Sequence, residues 1–443
     1  MTGGMPRRTL LGSTAAAGLA AALAGCSSDS GGGEGSAGSR RKGEKITLTF
    51  WTWVPGIDAC VALWNKQNPD VQVKVEKVSP TNGAQYAKMH AALKAKNAPD
   101  LAQIEYQMVP SFLLDQGLVD LSKYGAGEHK DKFVGWQWQQ SVFGDGVFAI
   151  PQDSGPMGMF YRSDLFDKWG IEPPATWAEY ERAATKVRAK GAWIATFPPM
   201  AGGWFTGLAW QAGAHWFDTK GDTWIVDMTG QETRRVCDFW EGLVRGKLVK
   251  TEPDRQNAWY SDLQSGRIVT WVGAQWGNAL LSGNAPGTAG KWRVAPMPQW
   301  DKGGKASANW GGSTTALMSG TKYPKDALAF AVWLNSAPES VALLPKAGVG
   351  WPAARAGSAN PALDRPDDFF GGQKYNSVFA GTEQGVNTSW RWGPMMDATF
   401  QHLGDELTAA INGKGSFADA LARVQRRTVD DLKAKGLKVE TRT

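Results

Sequence analysis

The sequence predicts an α/β protein built on a doubly wound sheet. Two features carry that reading: segments whose apolar residues alternate with a period of two, and segments of helical apolar spacing placed between them. Ile46, Leu48 and Phe50 alternate with Thr47, Thr49 and Trp51, which makes a first strand. Ala59, Leu63 and Trp64 repeat at helical spacing over 57–68, and Val71, Val73 and Val75 mark a second strand. A helix over 85–96 and a short strand over 100–104 follow. This β-α-β-α-β order calls for right-handed crossovers. In such sheets ligands bind outside the carboxyl ends of the strands, where Trp51–Trp53 and Glu105–Gln107 lie.

Further along, Thr176 and Glu179 after Pro173-Pro174 fit a capping box, in which each side chain bonds the other's backbone N–H. Trp177, Tyr180, Ala184 and Val187 then line one helix face. Helices over 229–244, 323–335 and 416–435 and strands over 267–272 and 292–295 complete the pattern. Trp216 and Trp224 flank Gly221-Asp222 and predict a hairpin. Trp64, Trp169, Trp177, Trp240 and Trp333 sit at helical spacing and are expected in the core, while Trp136 and Trp138 are expected on one common face.

The 443 residues suffice for two or three domains. Tryptophan is unusually abundant at 23 residues, more than a core needs, so ring faces devoted to binding are expected. The net charge of +6 is spread along the chain without a basic stripe, which argues against nucleic acid as a partner. Four histidines and three cysteines, none at zinc spacing, imply neither a metal site nor a metal cofactor. There is no G-x-S-x-G and no P-loop. A glycosidase pair of carboxylates is not excluded, with Glu105, Asp145, Asp153 and Asp397 as candidates. The balance favours binding over catalysis, with no cofactor.

The first residues read as an address. Arg7-Arg8 precedes an uncharged apolar run, Leu10–Ala24, too short to span a bilayer, so 1–25 is expected to be an export signal. Leu23-Ala24-Gly25-Cys26 resembles the bacterial lipobox, in which the cysteine is lipidated and becomes the mature N-terminus. Residues 26–44 then form a Gly/Ser-rich tether, reaching about 23 Å as a flexible coil. The only membrane association expected is through that lipid. Cys60 and Cys237 are expected to be buried free thiols, with one bridge as the alternative.

Taken together, Tyr161-Arg162-Ser163-Asp164-Leu165-Phe166, Gly170 and Pro174-x-Thr176-Trp177-x-Glu179 resemble the family-1 extracellular solute-binding proteins, the maltose-binding-protein-like receptors of ABC importers. Arg162 stands where Asn is commoner. Pro99-Asp100, Val272-Gly273-x-x-Trp276 and Gly311-Gly312-Ser313 extend the likeness to roughly 45–435. The resemblance implies a periplasmic-binding-protein-like fold of two lobes, each a mainly parallel sheet flanked by helices. The hinge between them is crossed three times, near 150–155, 295–311 and 348–352. The first lobe would comprise 45–150 and 312–350, the second 151–311 and 351–443. It also implies a monomer outside the cytoplasm that closes over its ligand and presents it to the transmembrane subunits of an ABC permease.

By the same resemblance, ligand contacts fall on Trp53, on Glu105 and Gln107, and on Asp153 at the first crossing. Aromatic stacking falls on Trp204, Trp276 and Trp390 beside Arg391, and close backbone approach on Trp310 and Gly312. Aromatic faces suit the C–H face of a sugar ring, and carboxylates, amides and guanidinium groups suit its hydroxyls, so a carbohydrate, in particular an oligosaccharide, is the expected ligand. The alternatives are a secreted carbohydrate-active enzyme, hydrolase or lyase, and a receptor for another solute such as a glycerophosphodiester. Arg391 and Arg355 would serve the latter.

Overall fold

The computed structural model describes residues 38–79 and 83–442. The expected export signal, Cys26 and the expected tether up to residue 37 lie outside the described residues, while residues 38–44 are not a free tether: Arg40 N donates to Asp326 Oδ2 at 3.0 Å and the Tyr323 hydroxyl to Glu44 Oε1 at 2.9 Å. The first lobe is organised by β1 (Ile46–Thr52), β2 (Val71–Lys77) and β3 (Leu101–Glu105), parallel to one another as the βαβ pattern requires. β13 (Ser313–Leu317) and the short β6 (Ile150–Pro151) close the sheet in the order β2-β1-β3-β13-β6. Successive residues of a strand point to opposite faces. Phe50 and Leu101 accordingly enter a core with Trp64 and Phe330, whereas Trp51 and Ala102 enter one with Tyr86, Met89 and Phe112. A hairpin of β4 (Val142–Phe143) and β5 (Gly146–Val147) precedes the hinge.

In the second lobe β8 (Met157–Arg162) lies between β11 (Thr270–Ala274) and β12 (Trp292–Pro296), antiparallel to both. The parallel bridges Trp193–Ile268 and Thr196–Lys250 extend this region. The mainly parallel arrangement thus holds in the first lobe and gives way to a mixed one here. Topology explains it: β8 starts at the hinge and β12 ends at it, so as neighbours they run in opposite directions. β9 (Phe217–Lys220) and β10 (Thr223–Val226) form the expected hairpin, and β15 (Lys438–Thr441) pairs parallel to β10. The capping box of Thr176 and Glu179 is present.

Much of the tryptophan excess is consumed by this lobe's interior. Trp177, Trp210, Trp216, Trp240, Trp259 and Trp292 are among the largest fully buried side chains. They meet mostly edge to face or tilted, as in the Trp204–Trp240 contact at 4.9 Å and 71°. Trp136 and Trp138 do not share a face. They lie on a short helix, Gly135–Gln139, where residues two apart point about 200° apart, and they join different cores. Cys60 and Cys237 are buried free thiols.

Three segments connect the lobes, and one carboxylate joins them. β7 (Asp153–Ser154) on the first segment pairs with β14 (Trp351–Pro352) on the third. Asp153 Oδ1 accepts from Ser313 N at 2.6 Å and Ser313 Oγ at 2.7 Å, and its Oδ2 accepts from Gly350 N at 2.8 Å. The short helix Arg355–Ser358 packs on helices Pro324–Ser336 and Pro338–Val341 of the first lobe, and Leu363 enters the core of the second. No helix among the described residues is long and apolar enough to cross a membrane.

Candidate functional site

The site begins where strand ends meet the hinge. β3 delivers Glu105 and, in the following turn, Gln107, while β13 starts opposite it with Ser313 paired to Glu105. Just before β13, Gly311 and Gly312 have φ of +77° and +88°. At Gly312 a Cβ would lie 2.8 Å from Ser154 Cα, so this position accepts only glycine without a backbone shift. Gly311 has the Trp276 indole nitrogen on one side and Glu105 Oε1 on the other, at 3.3 and 3.8 Å from where its Cβ would be. The two lobes face each other across this glycine.

On the first-lobe wall, Glu105 Oε2 accepts from the Tyr86 hydroxyl at 2.8 Å, and Tyr86 meets Trp53 edge to face at 6.3 Å. Burial pushes the Glu105 carboxyl above its ordinary value, against the lowering effect of Tyr86, Gln107 and Arg255. Gln107 Oε1 and the Tyr106 hydroxyl are buried without a hydrogen-bond partner. Such orphaned polar atoms cost stability.

On the second-lobe wall, Trp276 follows β11. It is half-buried, and its Nε1 donates to the Trp310 carbonyl at 2.8 Å while the rings meet at 4.7 Å and 64°. Arg255 holds its guanidinium 5.2 Å from the Trp310 ring centre. It does so from a left-handed backbone, φ +57°, unusual for a residue with a side chain and therefore strained. Its neighbour Asp254 is buried, with Oδ2 at 3.2 Å from Arg255 Nε. Beside Trp276 a cavity of about 190 Å³ opens between Gly348–Gly350 of the third crossing and Gln275, Asn278, Tyr375 and Asn376. Gln275 donates to Asn376 Oδ1 at 3.1 Å but leaves its own Oε1 unpaired. Asn278 donates to the Tyr375 hydroxyl.

The expected residues therefore divide. Trp53, Glu105, Trp276 and Trp310 are linked through Tyr86 and Gly311 at the strand ends beside the hinge, with Gln107 and Gly312 close to them along the chain, and of the six Trp276 alone lines the cavity of about 190 Å³. Asp153 sits behind it, its oxygens already engaged by the hinge. Trp204 is 2% exposed, and its Nε1 donates to Val272 O at 2.9 Å inside the second-lobe core. The cause is the helix Gly202–Gln211, which is buried nearly all round. Trp390 stacks on Trp210 at 5.0 Å and lines another cavity with Arg391. Arg255, Gln275, Asn278, Tyr375 and Asn376 escaped sequence reasoning, since no local pattern distinguishes them. Among the described residues no group of three or more His, Cys, Asp or Glu is placed to hold a metal ion.

A family model described as bacterial extracellular solute-binding protein matches residues 52–340. The chain is 28% identical over 316 residues to the arabinooligosaccharide-binding protein of Halalkalibacterium halodurans, covering 66% of this chain and 69% of that one. Its fold is similar to that of the galacto-N-biose-/lacto-N-biose I-binding protein of an ABC transporter from Bifidobacterium longum, solved with lacto-N-biose. The TM-score is 0.81 at 29% identity, over 90% of this chain and 100% of that one. An ABC transporter associated binding protein from B. animalis subsp. lactis, solved with β-1,6-galactobiose, gives 0.78 at 28% identity, over 90% and 100% of the two chains.

Proposed function

This chain belongs to the bacterial extracellular solute-binding protein family, and from that premise we propose that it captures an oligosaccharide in the crevice around Trp276 and delivers it to an ABC permease. The observation that supports the sugar assignment is the half-buried Trp276 ring, bonded to Trp310, beside a cavity lined by the amide and hydroxyl side chains of Gln275, Asn278, Tyr375 and Asn376. Indole faces suit the apolar face of a pyranose, and amide and hydroxyl side chains suit its hydroxyls. Relatives named for arabinooligosaccharide, lacto-N-biose and galactobiose support the same class.

In this reading Trp53, Trp276 and Trp310 stack on or border the sugar, Glu105, Gln107 and Arg255 bind hydroxyls, and Gly312 lets the backbone approach. Asp153 is a hinge residue, and the lobes close as a hinge motion. The chain works outside the cytoplasm as a monomer, held to the membrane by a lipid on Cys26. It makes and breaks no bond in its ligand. A thermal-shift screen of the purified chain against arabino- and galacto-oligosaccharides, with chromatography of the recovered sugar, tests this. A selective ligand at 100 times its Kd adds about 2.7 kcal/mol of stability and returns intact. No shift with any sugar, or the appearance of cleavage products, contradicts the proposal.

A further inference from the structure

A second cavity, of about 770 Å³, lies between the β4–β5 hairpin with Gln139–Gln140 and the segments 215–224 and 388–392. It shares no lining residue with the cavity beside Trp276. The helix Gly202–Gln211 separates them. At its first turn, a Cβ on Gly203 would sit 3.0 Å from the Trp310 indole nitrogen, whereas Trp210 at its last turn stacks on Trp390 at 5.0 Å and 12°. Seven residues of helix span about 10 Å.

The lining has three chemical features. Trp390 and Trp392 are 1% and 5% exposed, and both indole N–H groups lack an acceptor in the protein. Phe143, Phe217 and Trp224 add apolar ring surface. Arg391 and Arg442, with side chains 60% and 52% exposed, share the single carboxylate of Asp218 at 3.7 and 3.9 Å. These three are the charged residues of the lining, so one positive charge is left over. The long distances leave both guanidinium groups free to turn towards another carboxylate, which they can hold by charge-assisted bonds.

We propose that this cavity is a second ligand site, selective for an acidic sugar: a hexuronate or a short oligomer of it. The ring packs on the aromatic wall, and the carboxylate meets Arg391 and Arg442. A volume within the 300–1,000 Å³ typical of small-molecule pockets admits a mono- or disaccharide.

The test is titration calorimetry of the purified chain with galacturonate and digalacturonate, using galactose and β-1,6-galactobiose as neutral controls. Arg442→Ala, Arg391→Ala and Trp276→Ala are compared, with circular dichroism checking that each folds. Acidic-sugar binding should weaken at least tenfold in both arginine variants and stay unchanged in Trp276→Ala. Absence of acidic-sugar binding to the unmodified chain overturns the proposal. So does binding that is lost in Trp276→Ala but kept in the arginine variants, which would put the acidic sugar in the main crevice. The neutral controls test the main crevice by itself, so failure there is read separately.

Discussion

The indole N–H of Trp276 donates to the backbone carbonyl of Trp310 at 2.8 Å, joining the end of a second-lobe strand to the crossing that returns to the first lobe. This bond fixes the ring of Trp276 at the mouth of the crevice while leaving it half-buried. It also makes the ring's position depend on the hinge. A ligand touching Trp276 would thereby also bear on the segment that crosses between the lobes.

Trp204 offers the contrast. It lies in the second-lobe core against Phe197 and Trp240, with its own N–H satisfied by Val272 O. Trp204→Ala is expected to destabilise the chain by about 3–5 kcal/mol, the cost of a large aromatic cavity. Denaturant titration measures this.

Gly312 is a backbone requirement. With φ at +88° and Ser154 Cα 2.8 Å from an added Cβ, Gly312→Ala combines backbone strain with a clash. A loss of more than about 1 kcal/mol is expected in the same measurement, whereas alanine at the uncrowded Gly283 should change little.

Asp153 gives a pH dependence. Burial raises its carboxyl to about 6 from an ordinary 3.8, despite the bonds from Ser313 and Gly350 that oppose the shift. The folded chain therefore takes up this proton between about pH 6 and 4, before the unfolded chain does. Its contribution to stability rises as pH falls across that window, by about 3 kcal/mol at most, and is level below it. Asp153→Asn should flatten that segment of a stability–pH profile.

Cys60 and Cys237 are buried, and burial pushes both thiols up. Neither should react with a thiol reagent in the folded chain, and both should react once it is denatured. Absorbance at the reagent's product band follows the two conditions.

The parts of the fold legible in the sequence are those written locally. Valines at 71, 73 and 75 announce β2, Thr176 and Glu179 announce a helix start, and Gly221-Asp222 between two tryptophans announces a hairpin. The candidate site was legible only at strand ends, where Glu105 and Gln107 end or follow β3 and Trp276 follows β11. An indole has the same signature in sequence whether its face is open or enclosed, so Trp204 and Trp276 looked alike. Only packing of the helix Gly202–Gln211 against the second-lobe sheet separates them. Arg255, Tyr375 and Asn376 come to the crevice from distant segments, and nothing local in the chain foretells their meeting.

The most direct measurement is the calorimetric Kd of the selected oligosaccharide for the unmodified chain and for Trp276→Ala, side by side, with melting temperatures recorded for both. Binding weakened at least tenfold in Trp276→Ala, about 1.4 kcal/mol or more, with little change in melting temperature, is the expected result. An unaltered Kd would mean that the sugar does not lie against Trp276, and the crevice described here would not be its site.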